Sequence, residues 1–208
     1  MIDDADTWNR LAALLPEAGA REVRDCWEIG EREAGLGLLV SGLLAHRVPI
    51  SETVRARISV LAEDWGEREA LTPRILRCRG DGGVSTVRLI EQEGGSAGGP
   101  AAGAGPGPAG YVLLPWIACD GCGRVLLRAH DRQRWGGLSF SARHYAITSP
   151  DRATVLRTLP DGAAGEAFDV LLRECDGPPA AVGPGDAAPR GAEPQDGPRG
   201  RRATSGRG

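Results

Sequence analysis

The 208-residue chain carries 25 arginines, no lysine and 28 acidic residues, for a net charge of −3, a balance too mild to mark a nucleic-acid-binding protein. No apolar run is long enough to span a bilayer, and Met1-Ile2-Asp3-Asp4-Ala5-Asp6 is acidic where a secretory leader is basic and then apolar, so a cytoplasmic location with no membrane partner is expected. Residues 94–110 are only Gly, Ala, Pro and Ser, and 176–208 hold Val182 as their one large aliphatic residue, so neither segment can supply a core and the second is expected to be a disordered tail.

In chain order, Asp6 or Thr7 can cap a short helix bearing Trp8, Leu11, Leu14 and Leu15, closed by Pro16 and Gly19. A second helix from about Ala20 carries Val23, Cys26 and Trp27. In the third, from Glu33, residues Leu36, Leu39, Val40, Leu43 and Leu44 gather on one face. Pro49 stops it, because proline disfavours helix at the residue before it and donates no backbone hydrogen bond. Ser51 can cap a fourth helix with Val54, Ile58, Leu61 and Trp65 at steps of four, three and four, and Gly66 ends it. The short connections favour an antiparallel bundle over 1–66 with Trp8, Trp27 and Trp65 in its core.

After Gly66 the period changes. Arg74 to Cys78 and Val84 to Glu91 read as strands around the turn Gly80-Asp81-Gly82-Gly83, followed by Tyr111 to Ala118, Arg124 to His130 and Leu138 to Ile147. If Val84 to Glu91 pairs with Tyr111 to Ala118, the flexible segment 94–110 is a hairpin loop; otherwise it is a domain linker. Ser149-Pro150-Asp151 has the cap-then-proline order of a helix start, running through Val155 and Leu156. A last helix places Ala164, Phe168, Leu171, Leu172 and Cys175 on one stripe that can cover a sheet. The expectation is an α+β protein: a small helical bundle over 1–66, then a short antiparallel β-sheet region over 67–175 with one or two covering helices, then the tail 176–208.

The sharpest chemical signal is Cys119-Asp120-Gly121-Cys122-Gly123 between two apolar strand-like runs, the half-site of a zinc knuckle. Tetrahedral zinc needs two further ligands, for which His130 and His144 are the first candidates and Cys78 and Cys175 the others. Two half-buried thiols at a hairpin turn are the blander alternative. A thioredoxin-like role asks the pair to open a helix, whereas Gly123 to Leu127 reads as strand. Gly105-Pro106-Gly107-Pro108-Ala109-Gly110 matches G-x-G-x-x-G literally but precedes a strand inside low-complexity sequence, where the dinucleotide fingerprint needs a strand before it and a helix after it. Neither a Walker loop nor a G-x-S-x-G elbow is present, so no catalytic role is assigned.

Residues 8–66, with the Leu-rich helix, the Pro49-Ile50-Ser51 corner and the amphipathic helix after it, resemble the MafI-type immunity proteins of bacterial polymorphic toxin systems. The resemblance implies a non-enzymatic protein that binds and neutralises a cognate toxin domain. Residues 1–93 hold 12 arginines against 17 acids, which suits a basic partner. Glu31, Glu33, Glu52, Glu63 and Asp64 are the candidate contacts, chosen by charge and helical position. The alternative is a zinc-stabilised adaptor or regulatory module centred on Cys119 and Cys122.

Overall fold

The structure, a computed structural model, describes residues 5–90, 105–106 and 111–175. Five helices come first: α1 (Ala5–Ala12), α2 (Glu17–Glu28), α3 (Arg32–Ala45), α4 (Glu52–Asp64) and α5 (Arg68–Arg77). Six strands follow, β1 (Val87–Leu89), β2 (Gly105–Pro106), β3 (Tyr111–Cys119), β4 (Val125–Asp131), β5 (His144–Thr148) and β6 (Val155–Pro160), and then α6 (Ala164–Cys175). The sheet is antiparallel in the order β1-β3-β4-β5-β6, with β2 joining β3 beyond the end of β1. The protein is therefore α+β, helices first and sheet second, as the change of period implies.

The Leu-rich face of α3 and the tryptophans build the helical core. Leu36, Leu39, Val40 and Leu43 are fully buried, and Trp8 stacks on Trp27 with ring centroids 5.5 Å apart and lies 5.5 Å from Trp65. The indole of Trp8 donates to the Val23 carbonyl at 3.0 Å, which satisfies its one polar atom. Ser51 caps α4 as its sequence position suggests, accepting from the Val54 amide at 3.2 Å. Asp6 and Thr7, by contrast, lie inside α1, which is described from Ala5 onward.

α4 joins the two halves. Ile58 and Ala62 pack into the helical core, whereas Ala56 and Val60, two positions back and hence about 200° round the helix, pack against the sheet and α6. A helix buried on opposite sides shows little amphipathicity, so only its Val54-Ile58-Leu61-Trp65 stripe stands out in the sequence. The buried indole of Trp116 on β3 donates to the Ser59 hydroxyl at 3.0 Å and pins the sheet to α4.

Two element assignments change. Arg74 to Cys78 is the end of α5, not a strand: Leu71 and Ile75, four apart, bury one face in the helical core, and that packing holds the helix despite the lost hydrogen bond and ring crowding of Pro73. The helical unit thus runs past residue 66. Ser149 to Thr154 is the β5–β6 turn, not a helix start. The Ser149 hydroxyl accepts from the Thr154 amide at 3.0 Å and the Asp151 carboxylate from the Ala153 amide at 3.1 Å, side-chain bonds that compete with helix, and Val155 and Leu156 open β6. Because β1 and β3 are neighbours, the chain between them returns to the same sheet and does not link two domains. The composition-based expectations for the remainder of 94–110 and for 176–208 fall outside the described residues.

Candidate functional site

Where α4 ends against the sheet, a cleft of about 440 Å³ opens between the start of α3, the end of α4, the β4–β5 hairpin and the turn after β6. Its lining includes Glu33, Glu63, Asp64, Asp161, Arg143 and Tyr145. Three of the five acids singled out in the sequence therefore meet at one place. Glu31 lies two residues before Glu33 and is exposed. Glu52 does not belong to the group: it sits at the other end of α4, roughly 16 Å along the axis, bonded to Arg55 at 2.9 Å.

The acids of the cleft differ in environment. Glu63 is not an exposed contact: its side chain is 4% accessible and lies 3.0 Å from Arg68 and 3.3 Å from Arg128, while the Tyr145 hydroxyl donates to it at 3.3 Å. Charge at the end of an amphipathic helix usually means solvent, but here β4 and β5 cover it. Burial is the main reason the Tyr145 hydroxyl is held far above its usual pKa, and the neighbouring Glu63 charge adds to it. Arg128 also lies over Trp116, 5.1 Å from the ring centroid.

Asp64 is at the rim, accepting from the Ala164 and Gly165 amides at 3.2 and 3.1 Å and so capping α6 from another element. Desolvation outweighs those two bonds and, with the Glu63 charge beside it, pushes the carboxyl pKa up to about 6. Glu33 and Asp161 are exposed, and Arg143 is held by Asp131 at 2.6 Å.

The β4–β5 loop forms the other wall; its Leu138 to Arg143 stretch, expected as strand, is not strand, because β5 starts only at His144. Its tip is closed by the Gln133 amide donating to the Gly137 carbonyl at 2.8 Å and the Gly136 amide donating to the Gln133 carbonyl at 2.9 Å. Its base is held by an isolated Arg132–Leu138 bridge and by buried His130, whose Nδ1 is 2.9 Å from the Ser139 carbonyl. On this braced loop Trp135 is 81% exposed and Phe140 58% exposed. Phe140 borders a shallow depression shared with Glu63, Gly66 and Arg68, directly beside the cleft. A tryptophan followed by Gly136-Gly137 in a polar stretch was the available sequence signal for this surface.

The proposed zinc ligands do not assemble. Cys119 and Cys122 flank the β3–β4 turn, whereas His130 pairs with Val112 near the other end of that hairpin, roughly 17 Å along the strand from Val125. His144 pairs with Ala129, so it projects from the sheet face opposite His130, where it meets Tyr111 edge-on at 4.6 Å. Burial lowers the pKa of both imidazoles. Among the described residues no three His, Cys, Asp or Glu side chains are grouped to hold a metal, and no helix is long and apolar enough to cross a membrane. No family model, curated protein or solved structure matches the chain.

Proposed function

We propose that this chain is a binding protein that neutralises a basic toxin domain, the role implied by the resemblance of residues 8–66 to immunity proteins. The observation that carries the reading is the exposure of Phe140 beside an acid-lined cleft, with Trp135 exposed at the tip of the same braced hairpin. Keeping a tryptophan in water forgoes burial worth about 2 kcal/mol or more, and buried aromatic anchors are what binding hot spots use. Glu33, Asp64 and Asp161 supply a field that steers a cationic partner, while the internally neutralised Glu63 holds the wall in place. Blocking a toxin requires only a tight complementary surface, so the activity needs no nucleophile or cofactor.

Co-expression with a toxin domain encoded next to this chain tests the proposal. Growth should be rescued by the parent chain and lost with Trp135→Ser combined with Glu33→Arg and Asp161→Arg, all exposed positions whose replacement leaves the core intact. Equal rescue by both chains would refute the assigned surface, and no rescue together with no complex at micromolar concentration would refute the immunity role.

A further inference from the structure

The paired cysteines outside the cleft have a geometry of their own. The Gly123 amide donates to the Cys119 carbonyl at 2.9 Å, closing a single helical-type turn, and the Cys119 amide donates to the Arg124 carbonyl at 2.9 Å, which fixes the turn to the mouth of the β3–β4 hairpin. The turn folds Cys122 back toward Cys119, the last residue of β3, and a disulfide between them asks for Cβ atoms about 4 Å apart. Both cysteines point the same way: Cys119 belongs to the core cluster between sheet and α6, and Cys122 packs against that cluster. The Cys119 Sγ leans across the turn, 3.7 Å from where a Cβ on Gly121 would lie. Gly123, at φ +72°, gives the turn its left-handed exit. No third metal-ligating side chain joins the pair among the described residues.

We propose that Cys119 and Cys122 form a thiol–disulfide exchange site for small disulfides of the glutathione class. The half-buried Cys122 is the attacking thiol and the buried Cys119 the resolving one. Cys122 loses its proton to solvent and its sulfur attacks one sulfur of the small disulfide. That S–S bond breaks, one small thiolate leaves and takes up a proton, and Cys122 is left in a mixed disulfide. The Cys119 thiolate, its proton passed to solvent, then attacks the Cys122 sulfur and expels the second small thiolate, which is protonated in turn. The protein loses two electrons and two protons, and the small disulfide gains both. The product is a covalent clasp on a turn already tied to β1 through Arg88–Asp120 at 2.8 Å and to α6 through Arg124–Glu174 at 2.5 Å.

The test uses the full chain carrying Cys26→Ser, Cys78→Ser and Cys175→Ser, equilibrated with a graded series of oxidised to reduced glutathione, alkylated, and read by intact mass and peptide mapping. A form lighter by two hydrogen atoms, linked between Cys119 and Cys122 and restored by reduced glutathione, is the expected result. Adding Cys119→Ser should halt the reaction with one glutathione on Cys122. Two outcomes overturn the proposal: the pair stays reduced across the whole series, or glutathione on Cys122 is never resolved while Cys119 is present. Should the serine variant not fold, mapping of the parent chain decides alone, and a link from either cysteine to Cys26, Cys78 or Cys175 overturns the proposal there.

Discussion

Glu63→Ala is the substitution whose cost follows most directly from the structure. The carboxylate is 4% accessible and serves three partners at 3.0 to 3.3 Å: Arg68, Arg128 and the Tyr145 hydroxyl. Removing it leaves the Arg128 side chain, itself 4% accessible, as a buried charge without that counter-ion, a situation that costs about 3–5 kcal/mol when one member of a buried pair is deleted. Arg68, 21% accessible, can turn toward water, and Arg128 keeps its contact with the Trp116 ring, so the lower end, about 3 kcal/mol, is expected. For a chain of this size that is a fall in melting temperature of roughly 6–12 °C. Urea unfolding followed by tryptophan fluorescence should show the midpoint drop with the slope unchanged. Glu63→Met with Arg128→Met should recover most of the loss, since an apolar pair of similar volume removes both charges. A loss below about 1 kcal/mol for Glu63→Ala would show that the carboxylate is solvated, and the reasoning would fail.

Two glycines of α3 should respond in opposite directions. A Cβ at Gly35 would lie 2.9 Å from the Trp8 ring and 3.0 Å from the Cys26 Cβ, so Gly35→Ala should cost about 1–2 kcal/mol of unfolding free energy in urea despite better helix propensity, whereas Gly37, with nothing within 4 Å, should gain about 0.5–1 kcal/mol as Ala. Leu39→Ala, at a fully buried position, should cost about 2–5 kcal/mol by the same assay. Asp64 gives a pH signature: its carboxyl pKa is raised from the ordinary 3.8 to about 6 in the folded state, so its favourable contribution is complete below pH 3.8 and is lost as the pH rises through 6. Asp64→Asn should flatten that part of the stability profile, and an unchanged profile in urea titrations across this window would count against the raised pKa.

The helices were legible where one face is apolar and the ends are punctuated, as in α3 with its leucines and α4 with its Ser51 cap. The stripe of α6 was legible too, with Ala164, Phe168 and Leu171 all buried. α5 was not, because Pro73 and a short apolar run made Arg74 to Cys78 look extended, and only packing of Leu71 and Ile75 against α3 and α4 decides it. β6 was hidden for the converse reason: Ser149-Pro150-Asp151 is good helix-start chemistry, but the same side chains close a turn when a sheet edge is waiting. At the cleft, sequence marked Glu33, Glu63 and Asp64 but could not separate an internal counter-ion from a rim carboxylate. That distinction depends on Arg128 and Tyr145, which lie more than 60 residues away in the chain.

The most direct measurement is isothermal titration of the purified chain with the co-encoded toxin domain at low and moderate salt, comparing the parent with Trp135→Ser. A saturable complex that weakens with salt, and that loses at least tenfold in affinity, about 1.4 kcal/mol, without the indole, is expected of an acid-steered, aromatic-anchored surface. Affinity unchanged by Trp135→Ser and insensitive to salt would place the contact elsewhere and contradict the assignment of the cleft and hairpin as the binding site.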